Sequence, residues 1–314
     1  MRRVKIKLQL RSQGRHDGLS FMKIWIRAKE DLPYSSQVRA LLTTACKNSG
    51  IELEILGGTL PEGHADFCVC LGGDGTLLST VRFLGKKRFD IPLIGVHTSA
   101  GLGFLHTLSA PKNEVNPAEW ASHFAQALLE KKYRIAERWG LEAWMGSEDC
   151  KGETIHWALN DLVISKGPLS RMVFLQVKVG DSVLLQRLRG DGLIVASSTG
   201  STGYSLSAGG PVVHPELKTL LVTPICPHEV AQRPVLLDGG TTLHIESLVH
   251  RHPSYLTFDG QEKVDLEPGE KIHVRRAERP LQWVSFTAAE LKPANFFQRL
   301  RGKLGYGGDL THAT

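Results

Sequence analysis

The sequence predicts an α/β unit on a parallel sheet, then an all-β, sandwich-like unit, closed by a C-terminal helix that packs back on the first unit. Three observations predict it. Over residues 23–132, short apolar strands alternate with helical patterns, as parallel pairing through crossovers requires. Over residues 133–286 the period changes to two and the strands become short and close together. Over residues 295–304 a helical pattern returns. The expected divisions are a basic N-terminal extension (1–21), an α/β unit carrying a glycine-rich turn (22–132), a β-rich unit (133–288), and a returning helix and tail (289–314).

The elements follow in order. Arg2, Arg3, Lys5, Lys7, Arg11 and Arg15 make the extension basic, and no apolar core follows them, so it does not read as a secretory signal. Lys23-Ile24-Trp25-Ile26 is a short buried strand. Ser35 or Ser36 is expected to cap a helix with Val38, Leu41, Leu42 and Ala45 on one face, ending before Gly50. Residues 51–56, 67–71 and 91–96 are strands, with a helix from Thr76 through Val81 and Leu84 between the last two. Asn116-Pro117-Ala118-Glu119 supplies a cap, a first-position proline and a back-bonding glutamate for a helix running to about Lys132. Val173, Leu175, Val177 and Val179 then alternate with Gln176 and Lys178. Gly180-Asp181 is a two-residue hairpin turn, and Val183 and Leu185 continue the return strand. Residues 193–196, 220–222, 243–246, 255–258 and 272–275 are further short strands.

Bulk properties exclude several function classes. A hydrophobic fraction of 41% and a charged fraction of 22% over 314 residues suit a globular chain of two domains. No apolar run approaches the ~20 residues of a membrane span, so no membrane partner is expected. A net charge of +6 suits an anionic ligand. The basic residues are dispersed, without an aromatic-interleaved patch, so no nucleic-acid partner is expected. Cys46, Cys68, Cys70, Cys150 and Cys226 are odd in number and lack framework or metal spacing, which predicts free thiols in a reducing compartment. Cys68 and Cys70 flank Val69 in an apolar run and read as strand residues.

Four polar clusters carry chemistry. In Gly72-Gly73-Asp74-Gly75-Thr76, strand, glycine turn and helix present backbone N–H groups to a phosphate. Asp74 is the odd member: it either caps the helix or serves a metal or a proton transfer. There is no GxxxxGK[ST] and no GxGxxG. Asn160-Asp161 interrupts an apolar stretch; an Asn can read an adenine edge and a carboxylate can accept from ribose hydroxyls, against the plain alternative of a turn or bulge. The run from Asp191 to Gly210 is dense in Ser, Thr and Gly, which suits a ligand with many oxygens or a flexible linker; Tyr204 and Leu206 argue against a linker. Phe258-Asp259-Gly260-Gln261 reads first as a plain hairpin turn.

These clusters, with Gly103-Phe104-Leu105, Pro224 to His228, Arg233-Pro234 and Phe297 to Leu304, occur in one order that resembles the NAD kinase family over nearly the whole chain. The resemblance implies transfer of the γ-phosphoryl of ATP, or of polyphosphate, to the 2′-hydroxyl of the adenosine ribose of NAD, giving NADP. It implies a divalent metal, Mg²⁺, held by no dedicated protein cage, and a cytosolic homo-oligomer, dimer or tetramer. It implies Asp74 as the catalytic carboxylate, acting as base, as metal ligand through water or as orienter. Gly72, Gly73, Gly75 and Thr76 would face the donor phosphates. Asp74, Gly75, Phe104, Asn160 and Asp161 would hold NAD, with Phe104 against adenine. Thr202, Gly203, Tyr204, Ser205, Leu206 and Ser207 would line the same pocket. Arg171, Arg189 and Asp191 fall at family ligand positions, where an Arg suits a diphosphate or nucleotide contact from a neighbouring subunit, and Gln261 is the last such position.

The chain departs from the usual family pattern in places. His97-Thr98-Ser99-Ala100-Gly101 precedes Leu102-Gly103-Phe104 without the family's Asn, Ser79 stands where a basic residue is common, Ala196-Ser197-Ser198 replaces Ser-Thr-Pro, and Gly203 replaces an alanine. A Gly-Gly-Asp-Gly turn alone is shared with diacylglycerol-type lipid kinases, so a lipid or small-alcohol kinase is the alternative activity. A non-catalytic dinucleotide-binding regulator is the third reading.

Overall fold

The computed structural model describes residues 22–29, 32–85, 88–99, 103–111, 116–151, 153–167, 172–248 and 254–305. Arg171, the extension 1–21 and positions 100–102 lie outside the described residues. The chain begins β1 (Lys23–Ala28), α1 (Pro33–Asn48), β2 (Glu52–Ile55), β3 (Phe67–Gly72), α2 (Asp74–Leu84), β4 (Leu93–His97), β5 (Leu108–Ser109), α3 (Pro117–Leu129) and β6 (Tyr133–Arg138). β1, β2, β3 and β4 pair in parallel, as strands joined by helical crossovers do. α1 and α3 cover one face through Val38, Leu42, Trp120 and Phe124. α2 covers the other, with Leu77, Val81 and Leu84 against Trp25, Cys68, Cys70 and Leu93. Cys68 and Cys70 are thus buried strand residues, and burial pushes both thiols up.

The β-rich unit contains β7 (Leu141–Met145), β8 (His156–Ala158), β9 (Asp161–Lys166), β10 (Val173–Val179), β11 (Ser182–Gly190), β12 (Gly192–Ser197), α4 (Tyr204–Ser207), β13 (Thr219–Ile225), β14 (Val235–Asp238), β15 (Thr242–Ser247), β16 (Ser254–Phe258), β17 (Glu262–Leu266) and β18 (Lys271–Arg276). Its two antiparallel sheets run β11-β10-β15-β18-β7-β8 and β14-β13-β12-β9-β16-β17. Leu175, Val177, Leu243 and Ile245 of the first share a core with Leu162, Ile164, Leu193 and Leu220 of the second, the facing packing of a sandwich. Val179 pairs with Ser182, so Gly180-Asp181 is the expected two-residue turn.

Two findings differ from the sequence reading. β6 and a last strand, β19 (Leu281–Phe286), pair with each other antiparallel and join the first sheet, whose order is β2-β1-β3-β4-β19-β6 with β5 beside β4. The change of sheet expected at residue 133 therefore falls after β6, and the return to the first sheet falls before 288. Period-two patterning cannot say which sheet a strand joins, because either sheet buries one of its faces. The second difference is at α1, which starts at Pro33 rather than at a serine cap; Ser35 lies inside it, buried, with its Oγ 2.5 Å from Thr98 Oγ1. α3 has its expected cap, Asn116, which accepts from Ala118 N–H. The final helix, α5 (Phe296–Leu304), has a capping box from Asn295 and Gln298, buries Arg299 and Leu300, and meets the first unit through Lys303, which reaches Asp74 and Phe104.

Candidate active site

The glycine turn joins β3 to α2 at the carboxyl edge of the parallel sheet, where open α/β sheets place their ligands. Gly72 is required by contact: a Cβ there would lie 2.4 Å from Thr76 Oγ1. Gly73 is the helix cap without side-chain help, so the helix begins at Asp74, two residues before Thr76. Gly75 faces open space. A cleft of about 460 Å³ opens beside Gly73, Gly75, Thr76 and Ser79, and Arg27 and Lys29 line its other side. Arg27 Nη1 is buried with no hydrogen-bond partner among the described residues. The positive charge missing at Ser79 thus comes from β1, which the local motif could not reveal.

Asp74 does not cap its helix. Its carboxylate turns across to the 104–106 loop. Phe104 N–H donates to Oδ2 at 3.0 Å, Leu105 N–H donates to Oδ1 at 3.1 Å, and His106 Nδ1 lies 3.1 Å from Oδ1. Burial alone would raise this carboxyl; the bonds from His106, Phe104 and Leu105 outweigh it and hold the group down at about 2. A carboxylate has about four lone-pair positions, so these three donors leave one, on Oδ2. Lys303 of α5 faces it with Nζ at 3.7 Å, and also lies 4.6 Å from the Phe104 ring centre. His106 and Lys303 are site residues that no local sequence signal marked.

Across the seam, Asn160 and Asp161 stand at the start of β9, and Asp259 holds them there. The hairpin between β16 and β17 turns on Asp259 at φ +53° and Gly260 at φ +63°. That turn aims the Asp259 carboxylate at three backbone N–H groups: Leu159 (2.9 Å), Asn160 (2.7 Å) and Asp161 (3.3 Å). The hairpin is therefore more than a turn. Its next residue, Gln261, donates from Nε2 to Gly75 O at 3.1 Å, tying the β-rich unit to the glycine turn. Arg82 of α2 adds bonds to Phe258 O and to Glu262. Asn160 Oδ1 is buried and lacks a partner among the described residues.

The Ser/Thr run follows β12. Ser197 Oγ donates to Leu159 O at 2.6 Å, Ser201 Oγ engages Ser198 O and Val213, and Ser205 Oγ pairs with Thr223 Oγ1 at 2.9 Å. These three hydroxyls bond within the fold, while Thr199 Oγ1 is buried without a partner among the described residues. A Cβ at Gly200 would lie 2.0 Å from Asn160 O, so only glycine permits this approach. Gly203 is half-buried beside the Asp161 and Asn160 side chains, where a Cβ would lie 3.2 Å from Gly200 O and 3.5 Å from Asp161 Oδ2, and Tyr204 is half exposed. Arg189 and Asp191 are elsewhere. Asp161 pairs with Ala196 at one end of β12, whereas Asp191 precedes its other end, five residues or roughly 17 Å away along the strand. There Asp191 is bonded to Lys166 at 2.6 Å. Within one chain, then, Asp74, Phe104, Asn160, Asp161, Gln261 and the 199–207 segment adjoin the seam, and Arg189 and Asp191 do not.

Burial pushes the Asp161 carboxyl up to about 7, and the neighbouring Asp259 carboxylate adds to the rise. The folded value lies above the unfolded one of about 3.9. The folded chain therefore binds more protons between those values, and stability supplied by this group at acidic pH is lost as pH rises through about 7. Thermal unfolding is expected to show this as a melting temperature that falls between about pH 4 and 7, the underlying stability dropping by at most about 1.4 kcal/mol per pH unit, and Asp161→Asn should flatten it. An unchanged slope in that variant would remove Asp161 as the cause.

A family model, ATP-NAD kinase C-terminal domain, matches residues 159–286. The chain is 37% identical over 250 residues to a NAD kinase of Geotalea daltonii, covering 79% of this chain and 81% of that protein. It is 40% identical over 246 residues to a NAD kinase of Geobacter metallireducens, covering 77% and 80%. Among solved structures it is similar to an Archaeoglobus fulgidus NAD kinase in complex with ATP, at TM-score 0.66 and 26% identity, covering 90% of this chain and 99% of that one. It also resembles in fold the yeast NADH kinase complexed with NADH, at TM-score 0.78 and 22% identity, covering 94% and 90%.

Proposed function

The chain belongs to the NAD kinase family, phosphotransferases acting on a hydroxyl group of NAD, and from that premise we propose that it transfers the γ-phosphoryl of ATP to the 2′-hydroxyl of the adenosine ribose, forming NADP. The observation that carries the reading is the pairing of two incomplete sites across one seam. Asp74 has one free acceptor position, and Asn160 Oδ1 is a buried acceptor awaiting a donor such as the adenine amine. Asp161 and the backbone at Gly203 would take the ribose, and Phe104 the adenine face. On entry, the substrate hydroxyl would replace Lys303 at Asp74 Oδ2. The donor triphosphate would lie in the Arg27–Lys29 cleft against the N–H groups of Gly73 and Gly75. Among the described residues no group of three or more His, Cys, Asp or Glu side chains is gathered to hold a cation, so a divalent ion such as Mg²⁺ would be carried by the phosphate oxygens.

In this reading Asp74 aligns the hydroxyl and receives its proton late. A carboxylate held at about 2 is a weak base, and phosphoryl transfer through a loose transition state asks mainly for alignment and charge neutralisation. Arg189 and Asp191, distant from Asp74 within one chain, would serve the site of a second copy, which supports a dimer or tetramer; the cytoplasm is the compartment this activity and the free thiols suit. No helix among the described residues is long and apolar enough to cross a membrane.

A panel of donors (ATP, other nucleoside triphosphates, polyphosphate) against NAD, NADH and diacylglycerol tests this. NADP formation from NAD and ATP is expected. Phosphorylation of the lipid alone, or tight NAD binding with no product from any donor, would replace the reading with a lipid kinase or a regulator.

A further inference from the structure

A second polar cavity, of about 320 Å³, lies between β6, β19, the start of α5 and residues 214–216. It shares no lining residue with the donor cleft. We infer that it is a binding site for a small organic phosphate, with the phosphoryl group held by Arg138 and Arg299 and the organic body against Phe296 and Phe297.

Arg138 is 5% exposed and Arg299 7%, and guanidinium groups are seldom buried so far without full pairing. Neither is fully paired. Arg138 Nη1 lies 3.8 Å from Glu216 Oε1, the same oxygen that Arg134 takes at 2.9 Å. It also donates from Nη1 to Glu137 O at 3.5 Å and stands over the Trp283 ring, with Cζ 5.9 Å from the ring centre. Arg299 donates from Nη1 to Ala294 O, and its Nε has no partner among the described residues. Burial pushes both groups down, to about 10, and Arg299 adds repulsion at Arg138. Among the lining residues three guanidinium groups stand against one carboxylate, Glu216, and although Asp74, outside the lining, also acts on Arg299, the cavity keeps an excess of positive charge. A phosphate monoester dianion matches that excess, and arginine forks match its oxygens. Beside Arg299, on the same helix, the lining is apolar: Phe296 meets His214 edge-on at 5.2 Å, and Phe297 is 62% exposed. Charged groups with aromatic rings beside them select an organic phosphate over the inorganic ion.

The test is calorimetric titration of the full chain with phenyl phosphate and with inorganic phosphate, while NAD and a non-hydrolysable ATP analogue saturate the catalytic seam. One phenyl phosphate is expected per chain, bound at least about tenfold more tightly than inorganic phosphate. Arg138→Met and Arg299→Met should each weaken it about tenfold or more without lowering the melting temperature, because each removes an underpaired buried charge. Phe297→Ala, a surface change that leaves the fold intact, should weaken phenyl phosphate and leave inorganic phosphate unchanged. No binding by the unaltered chain, arginine variants that bind as it does, or a Phe297→Ala chain with undiminished preference for phenyl phosphate would each overturn the assignment.

Discussion

Replacing Asp74 by asparagine is expected to lower kcat by about 10²- to 10⁴-fold, the range for losing a positioned acid–base group. The amide can keep one oxygen for Leu105 N–H and His106, but its NH₂ must then face Phe104 N–H, so one donor is stranded. Stranding one N–H costs about 1–3 kcal/mol, borne by the loop that carries Phe104. NAD affinity is therefore expected to weaken by about tenfold, much less than turnover. The pH profile adds a second reading. A carboxylate held at about 2 stays ionised throughout the working range, so the unaltered enzyme should show no acid limb above pH 5 assignable to Asp74. Turnover of Asp74→Asn within threefold of the parent, measured under saturating substrates, would end its catalytic role.

Asp259→Ala is expected to be the most damaging change to the fold near the site. It leaves the Leu159, Asn160 and Asp161 N–H groups without their acceptor, and the relief of burying a carboxylate offsets only part of that. The net loss should be about 2–4 kcal/mol, visible as a melting temperature roughly 5–15 °C lower. Because those amides position Asn160 and Asp161, the Michaelis constant for NAD should rise as well. Asp259→Asn, which keeps one oxygen for the amides, should fall between the two. An Asp259→Ala chain with parental stability and parental Michaelis constant would show that the loop holds itself.

What the sequence revealed was local. The glycine turn, the Gly180-Asp181 hairpin and the strand alternation from Val173 to Val179 depend on neighbours within a few residues, and all three are present as read. What it hid was non-local. Lys303 reaches Asp74 across more than two hundred positions, Arg27 supplies the charge absent at Ser79, and Asp259 binds the Asn160 loop from a turn that looks ordinary. In the hydroxyl-rich run, whose density suits a ligand with many oxygens, the hydroxyls of Ser197, Ser201 and Ser205 bond to Leu159 O, to Ser198 O and Val213, and to Thr223. Composition counts donors but does not say whom they serve.

The pairing of β6 with β19 has a consequence for biosynthesis. The first sheet needs a strand that leaves the ribosome about 150 residues after its own edge strand, with the whole β-rich unit between them. At about 5–20 residues per second, the earlier strands wait on the order of 10 s with an unpaired edge. The β-rich unit is closed in itself and can complete first; the α/β unit cannot. The Asp74 carboxylate therefore belongs to the part of the molecule that is finished last, and nascent chains stalled before residue 281 should carry a folded sandwich beside an open, aggregation-prone sheet.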